Sequence, residues 1–361
     1  MMKKGIVITL CCSIVIASFF LLQRLLVPKY ISHVPEGSLI EEYYKEDVFD
    51  HDVVFVGDCE VYENFSPITL WEEYGIKSYI RGSAQQLIWQ SYYLMEDTLR
   101  YEKPDVFVFN TLSMKYDEPQ SEAYNRLNLE GMEWSKSKYD AIQASMMEDE
   151  SIMDYILPVL RYHQRWNELT SEDFEYMFKS KPQRAHNGFL IRADELPVTK
   201  IPEAQPLADY QFSQTCYEYL DKMVKLCQDN DIKLVLIKAP SLYPAYYDEW
   251  DQQMEDYAKK NNVDYINFLE LIDEVGLDFQ HDTYDAGLHL NLSGAEKLSH
   301  YFGQYLKDHY KLEDGRKDPD VKARWDQKVQ FYNDMKADQY RELKEYGYLK
   351  SYGAKKKGSV K

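Results

Sequence analysis

The sequence predicts an α/β protein: a three-layer α/β/α sandwich around a parallel five-stranded sheet, carrying a helical insertion and an N-terminal transmembrane helix. Three observations predict it. Short unbroken apolar runs such as Val53-Val-Phe-Val56 and Leu234-Val-Leu-Ile237 are the pattern of strands buried on both faces. Helix-period stretches separate these runs, so strand alternates with helix, the order that gives parallel pairing. Ahead of all of them, Gly5 to Leu22 is an apolar run of about 18 residues, near the lower bound for a membrane span.

Taken in order, Lys3-Lys4 precede the apolar run, and no small-x-small cleavage site or lipobox follows. Residues 1–27 therefore read as an uncleaved signal anchor. Lys3 and Lys4 against Arg24 and Lys29 give a thin charge bias that favours an extracytoplasmic domain. Residues 28–50 read as a tether punctuated by Pro28, Pro35 and Gly37. The first strand, Asp52 to Val56, breaks at Gly57 and presents Asp58 and Cys59 at its carboxyl end. Ser66-Pro67 is an N-cap with proline at the first helical position, and Gly75 sits just past the end of that helix. A second strand covers Lys77 to Ile80, and Ser83 is placed to cap the helix carrying Leu87, Tyr92, Leu94 and Leu99. A third strand runs from Asp105 to Phe109, with Asn110 at its end.

The pattern then breaks. Residues 113–205 read as a mostly helical insertion, a lid over the strand-end face. It contains the run Arg161, His163, Arg165 and Trp166 and then His186-Asn-Gly188, a set that suits either an anionic or sugar substrate or a helix face packed on the sandwich. Alternation resumes over 206–310, with a helix bearing Leu220, Met223 and Val224, the strand Lys233 to Ile237, a helix over about 247–260, and a strand over Tyr265 to Phe268. Ser293-Gly-Ala-Glu296 reads as a capping box opening a last helix that ends near His309. The sandwich domain is thus 51–112 plus 206–310, in a flavodoxin-like arrangement. Residues 311–361 form a charged helical C-terminal extension whose Lys355-Lys-Lys357 tail reads as a solvated appendage.

Composition narrows the function. A net charge of −19 over 361 residues argues against a nucleic-acid partner, which needs clustered Lys and Arg. Thirty-two tyrosines suit a tyrosine-rich core or carbohydrate-stacking surfaces. Of the five cysteines, Cys11 and Cys12 fall in the apolar run, and Cys216 and Cys227 share one helix about three turns apart, so no disulfide framework is implied. There is no Gly-rich phosphate loop and no metal-ligand spacing, so neither cofactor nor metal is expected.

Two distant stretches carry the chemistry: Asp52-Val-Val-Phe-Val-Gly-Asp-Cys59 and Asp285-Ala-Gly-Leu-His289-Leu-Asn-Leu-Ser-Gly294. A thiol at the carboxyl end of a buried strand is held still and accessible, where α/β sheets bind ligands. His289 can serve as its base and, when cationic, favour the thiolate. Asp285 would orient the imidazole, with Asp282 as its rival. Asp58, beside the thiol, reads as structural.

Gly57-Asp58-Cys59 resembles the Gly-Asp-Ser block of the SGNH/GDSL hydrolases, with cysteine in place of serine. Asp285…His289-Leu-Asn-Leu-Ser-Gly294 resembles their last block, with one residue more between acid and base. The resemblance covers roughly 50–115 and 215–310. It implies Cys59 as nucleophile, His289 and Asp285 as its partners, and Gly82 and Asn110, by position, as the oxyanion hole. It also implies a membrane-anchored acyl-transfer enzyme acting on an ester, with a cell-wall or surface polysaccharide as acceptor and a membrane partner as acyl donor. A simple surface esterase and a catalytically silent scaffold or glycan-binding protein stay open beside it.

Overall fold

In a computed structural model, which describes residues 2–29, 36–183 and 185–352, the chain starts with helix α1 (Met2–Leu26) and helix α2 (Glu36–Tyr43). Then follow β1 (Val53–Gly57), α3 (Cys59–Tyr62), α4 (Pro67–Tyr74), β2 (Ser78–Gly82), α5 (Ile88–Thr98) and β3 (Val106–Asn110). The next segment holds the short helices α6 (Glu122–Leu129), α7 (Lys136–Ser145), α8 (Ile152–Ile156), α9 (Val159–Tyr162) and α10 (Ser171–Glu175). The sandwich resumes with α11 (Gln214–Asp229), β4 (Lys233–Lys238), α12 (Asp248–Asn261), β5 (Asp264–Asn267), α13 (Ile272–Val275) and α14 (Leu292–His309). A long helix, α15 (Pro319–Tyr346), follows. The Lys355-Lys-Lys357 tail and residues 30–35 of the tether lie outside the described residues.

The five strands are all parallel, in the order β2-β1-β3-β4-β5. Their side chains alternate between two cores, which explains the unbroken apolar runs. Val53, Phe55, Val106, Val108, Val235 and Ile237 join one core, with Leu70 of α4 and Leu298 and Phe302 of α14. Val54, Val56, Phe107, Phe109, Leu234 and Leu236 join the other, with Leu94 of α5, Leu220 of α11 and Met254 of α12. The strand order reverses between β1 and β3, the switch point at which such sheets open a ligand crevice.

Ser66 caps α4 as its sequence requires, accepting from the Thr69 N–H, with Pro67 as the first helical residue. Two other expected caps differ. Ser83 donates to Gln86 instead, and α5 begins only at Ile88. The cap of α14 is Asn291, which accepts from the Gly294 N–H, while Glu296 turns away to take Tyr332 and Lys336. Asparagine two residues earlier wins because its carbonyl reaches the third helical N–H directly.

Two terminal pieces are parts of the core. Leu39, Ile40 and Tyr43 of α2 are fully buried. The C-terminal helix α15 is buried along one side. Trp325 stacks on Trp71 with centroids 4.9 Å apart, Tyr332 meets Ser66, and Gln339 donates to the Ile191 carbonyl. Residues 185–191 are pinned between this helix and β2, where the Ile80 N–H donates to the Asn187 carbonyl and His186 Nε2 meets the Lys328 carbonyl.

Candidate functional site

Gly57 ends β1 with φ +155° and no room for a side chain, since a Cβ there would meet Val61 Cγ2 at 2.5 Å. The chain therefore turns at once into α3, with Asp58 as N-cap accepting from the Glu60 N–H at 3.2 Å. This places Cys59 on the rim at the carboxyl ends of the central strands. Gly82, in register with Gly57 on β2, closes one side; a Cβ there would press on the Gly57 carbonyl oxygen at 3.0 Å. Asn110 ends β3 on the other side.

His289 arrives from the loop ahead of α14, held there because the Leu290 N–H donates to Asn64 Oδ1 and Thr283 Oγ1 to the His289 carbonyl. Asp285 grips the residue twice: Oδ1 accepts from its N–H at 2.8 Å and Oδ2 meets ring Nδ1 at 2.7 Å. The extra residue between acid and base is absorbed by a left-handed turn at Ala286 and Gly287. Asp282 faces elsewhere, paired with Lys297 and accepting from the Asp278 N–H. The second ring nitrogen, Nε2, is buried without a well-formed hydrogen bond. Cys59 lies close enough that the thiol and the imidazole shift each other's titration.

The electrostatics differ from the expectation of a ready thiolate. Burial pushes the Cys59 thiol up to about 11; His289 pulls it down, but Asp58 and Glu63 oppose that. For His289, burial disfavours the cation, yet Glu63, Cys59 and Asp285 outweigh it and hold the imidazole well above its usual range. Both shifts act to keep the proton on its group, burial on the sulfur and the neighbouring acidic groups on the imidazole. Burial also raises Cys216 and pushes Cys227 up to about 12; both are buried on the same face of α11, whereas Cys59 is half-buried.

Several functional neighbours were not singled out in the sequence. Glu63 lies 3.4 Å from His289 Nδ1 and accepts from the Tyr284 hydroxyl, and the Tyr284 ring stacks on the imidazole at 6.0 Å. Arg192 sits over the Tyr284 ring, 3.9 Å from its centroid. Glu63 follows Cys59 by four residues, so one helical turn returns it to the same face, a usable signal. Behind Cys59 lies a fully buried ionic cluster. Lys238, at the end of β4, bonds both Glu60 oxygens at 2.9 and 3.0 Å and Ser241 at 3.0 Å. Asn110 joins this cluster: its amide nitrogen donates to Asp58 and to Glu60, each at 3.0 Å, and its carbonyl accepts from the Ala239 N–H. Both of its amide hydrogens are thus committed.

The basic run of the insertion goes elsewhere. Arg161 pairs with Glu122, and Arg165 with Asp173 and the Leu26 carbonyl at the end of α1. One part of the insertion that reaches the candidate site is 192–198, where the Leu196 N–H donates to the Thr283 carbonyl and the Ala286 N–H to the Leu196 carbonyl. Among the described residues, no group of three or more His, Cys, Asp or Glu side chains is placed to hold a metal ion.

No family model matches the chain, and no curated protein does. Among solved structures, it is similar to one assigned as an acylhydrolase from Bacteroides fragilis, at 12% identity and TM-score 0.34, covering 71% of this chain and 86% of that one. It is also similar to a GDSL-like lipase from Bacteroides thetaiotaomicron, at 12% identity and TM-score 0.35, covering 76% of this chain and all of that one. Likenesses this distant carry no chemistry across, so the function rests on the geometry of the site itself.

Proposed function

We propose that this chain is a membrane-anchored, extracytoplasmic acyl-transfer enzyme that works through an acyl-enzyme on Cys59. The observation that carries the reading is that Asp285 holds Nδ1 of His289 while the buried Nε2 has no well-formed hydrogen bond, and that the imidazole and the Cys59 thiol are near enough to shift each other's titration. A nucleophile and base in loose contact tighten when substrate arrives. The site must first lose one proton. The sulfur then attacks the ester carbonyl, the C–O bond breaks, and the leaving alcohol takes its proton from His289. A hydroxyl of a cell-wall or surface glycan, or water, attacks the thioester in turn; His289 accepts its proton and the thiolate departs. Asp285 keeps the imidazole in the tautomer this requires. Gly82 lets the backbone approach on the oxyanion side. Asn110, with its amide committed, acts by fixing Asp58 and Glu60 and so the start of α3. Helix α1, which within Lys4–Leu26 holds an 18-residue window of mean hydropathy 2.6 that is not buried in the fold, supplies the anchor.

The high resting pKa of Cys59 favours a second reading, a silent scaffold that keeps the sandwich without turnover. Alkylation separates them. Iodoacetamide labelling of each thiol is followed by mass spectrometry against pH, in wild type and His289→Ala. The enzyme reading expects Cys59 to react well before Cys216 and Cys227 and to slow when His289 is removed, because the imidazolium favours the thiolate. Cys59→Ala should abolish acyl transfer from a p-nitrophenyl ester to a glycan or to water. A Cys59 that ignores the loss of His289 would leave the scaffold reading the better one.

A further inference from the structure

Among the described residues, the segment of α8, α9 and α10 beside α1 exposes several large apolar side chains. Ile156, Leu160 and Phe174 are exposed there, together with Trp166, at 72% exposure, and Phe178, at 71%. These short helices pack on the end of α1: α9, α10 and the turn carrying Arg165 and Trp166 all contact it. The domain is therefore seated on its anchor and not held away on a stalk.

The depth of that seat can be read from the helix. A cleft of about 380 Å³ lies between α1 and residues 176–181, and it reaches Phe20. Phe20 is six residues before Leu26, so the cleft runs back about 9 Å along the apolar helix. Phe178, in the facing segment, thus lies level with the last turns of the span. Five basic side chains, Arg24, Lys29, Lys45, Lys179 and Lys181, line this cleft against one carboxylate, Glu41. Glu41 pairs with Lys45 and Lys181, Asp173 lies 4.0 Å from Lys29, and Glu175 pairs with Lys179, which still leaves a cationic excess.

We propose that this face lies on the bilayer, with Trp166, Phe174 and Phe178 set into the headgroup boundary and the basic cleft over acidic phospholipid headgroups. Exposed aromatic side chains at the end of a span are at home in the interface, and Lys and Arg beside them add attraction to an anionic leaflet. A second copy of the chain would need the same face, but α1 already commits that face to the membrane side. The inference depends on α1 spanning the bilayer, as in the proposed function.

The test uses full-length protein in vesicles of phosphatidylcholine, with or without phosphatidylglycerol, whose acyl chains carry bromine near the headgroup. Bromine quenches indole fluorescence on contact. In a Trp134→Phe background, which removes the other exposed indole, emission should be quenched, and adding Trp166→Phe should lose the quenched component, because Trp71, Trp89, Trp250 and Trp325 are buried in the domain. Phe178→Trp in that doubly substituted background should restore it. Quenching should increase with phosphatidylglycerol, and the double change Lys179→Glu and Lys181→Glu should remove the increase. Protein that fails to float with the vesicles refutes the span. Protein that floats while Trp166 is equally bright with and without bromine refutes this inference alone, as would Trp166 emission that follows protein density in the vesicle, the mark of a second copy. Quenching indifferent to phosphatidylglycerol would overturn the acidic-lipid part.

Discussion

Replacing Glu63 by Gln should lower the pH at which Cys59 becomes reactive. Glu63 and His289 are both buried, with Oε2 3.4 Å from Nδ1. Asp285 holds the same nitrogen at 2.7 Å, so the ring should keep its place, and Gln can still accept from Tyr284. An opposite charge at this range shifts an imidazole by about 1–3 units, or about 1.4–4 kcal/mol. The sign is the same for both partners. Glu63 raises His289 and also raises Cys59, so removing its charge lets each lose its proton at lower pH. The assay is the iodoacetamide rate at Cys59 from mildly acidic to alkaline pH, in wild type and Glu63→Gln. A curve that stays in place, or moves alkaline, would refute the electrostatic account of the site.

Two further outcomes test the scaffold around it. Trp325→Ala should cost about 3–5 kcal/mol, since the ring is 1% exposed and stacked on Trp71; denaturant unfolding of the detergent-solubilised protein would show it, and an unchanged midpoint would mean that α15 is dispensable. His186 should make the fold acid-sensitive. Burial, then the Lys328 charge, push its imidazole down to about 3, so it stays neutral when folded while the unfolded ring binds a proton below about 6.5. Its part of the stability is intact above that pH and is lost as pH falls toward 3, at about 1.4 kcal/mol per pH unit. His186→Phe should flatten the thermal midpoint against pH over that window, and an unaltered slope would contradict the assignment.

Strand positions and the two chemical stretches were legible because they are local. Doubly buried strands leave unbroken apolar runs, and a strand that ends in Gly-Asp-Cys announces a residue held at its rim. Asp285 and His289 could be paired because both lie in one short stretch, but choosing Asp285 over Asp282 needed the turn at Ala286 and Gly287. Nothing local marks Lys238 and Ser241 as partners of Glu60, or Tyr284 as a link between Glu63 and the imidazole. The packing of the charged C-terminal helix was not legible because Trp325, Tyr332 and Gln339 recur about once in seven residues, too sparse a stripe to stand out among the charges between them. The sequence by itself determined the sheet, the nucleophile candidate and its base. Only the tertiary structure decided the direction in which their titrations shift, because that depends on how many charges from distant segments are buried against them, and a residue's burial is set by the whole fold.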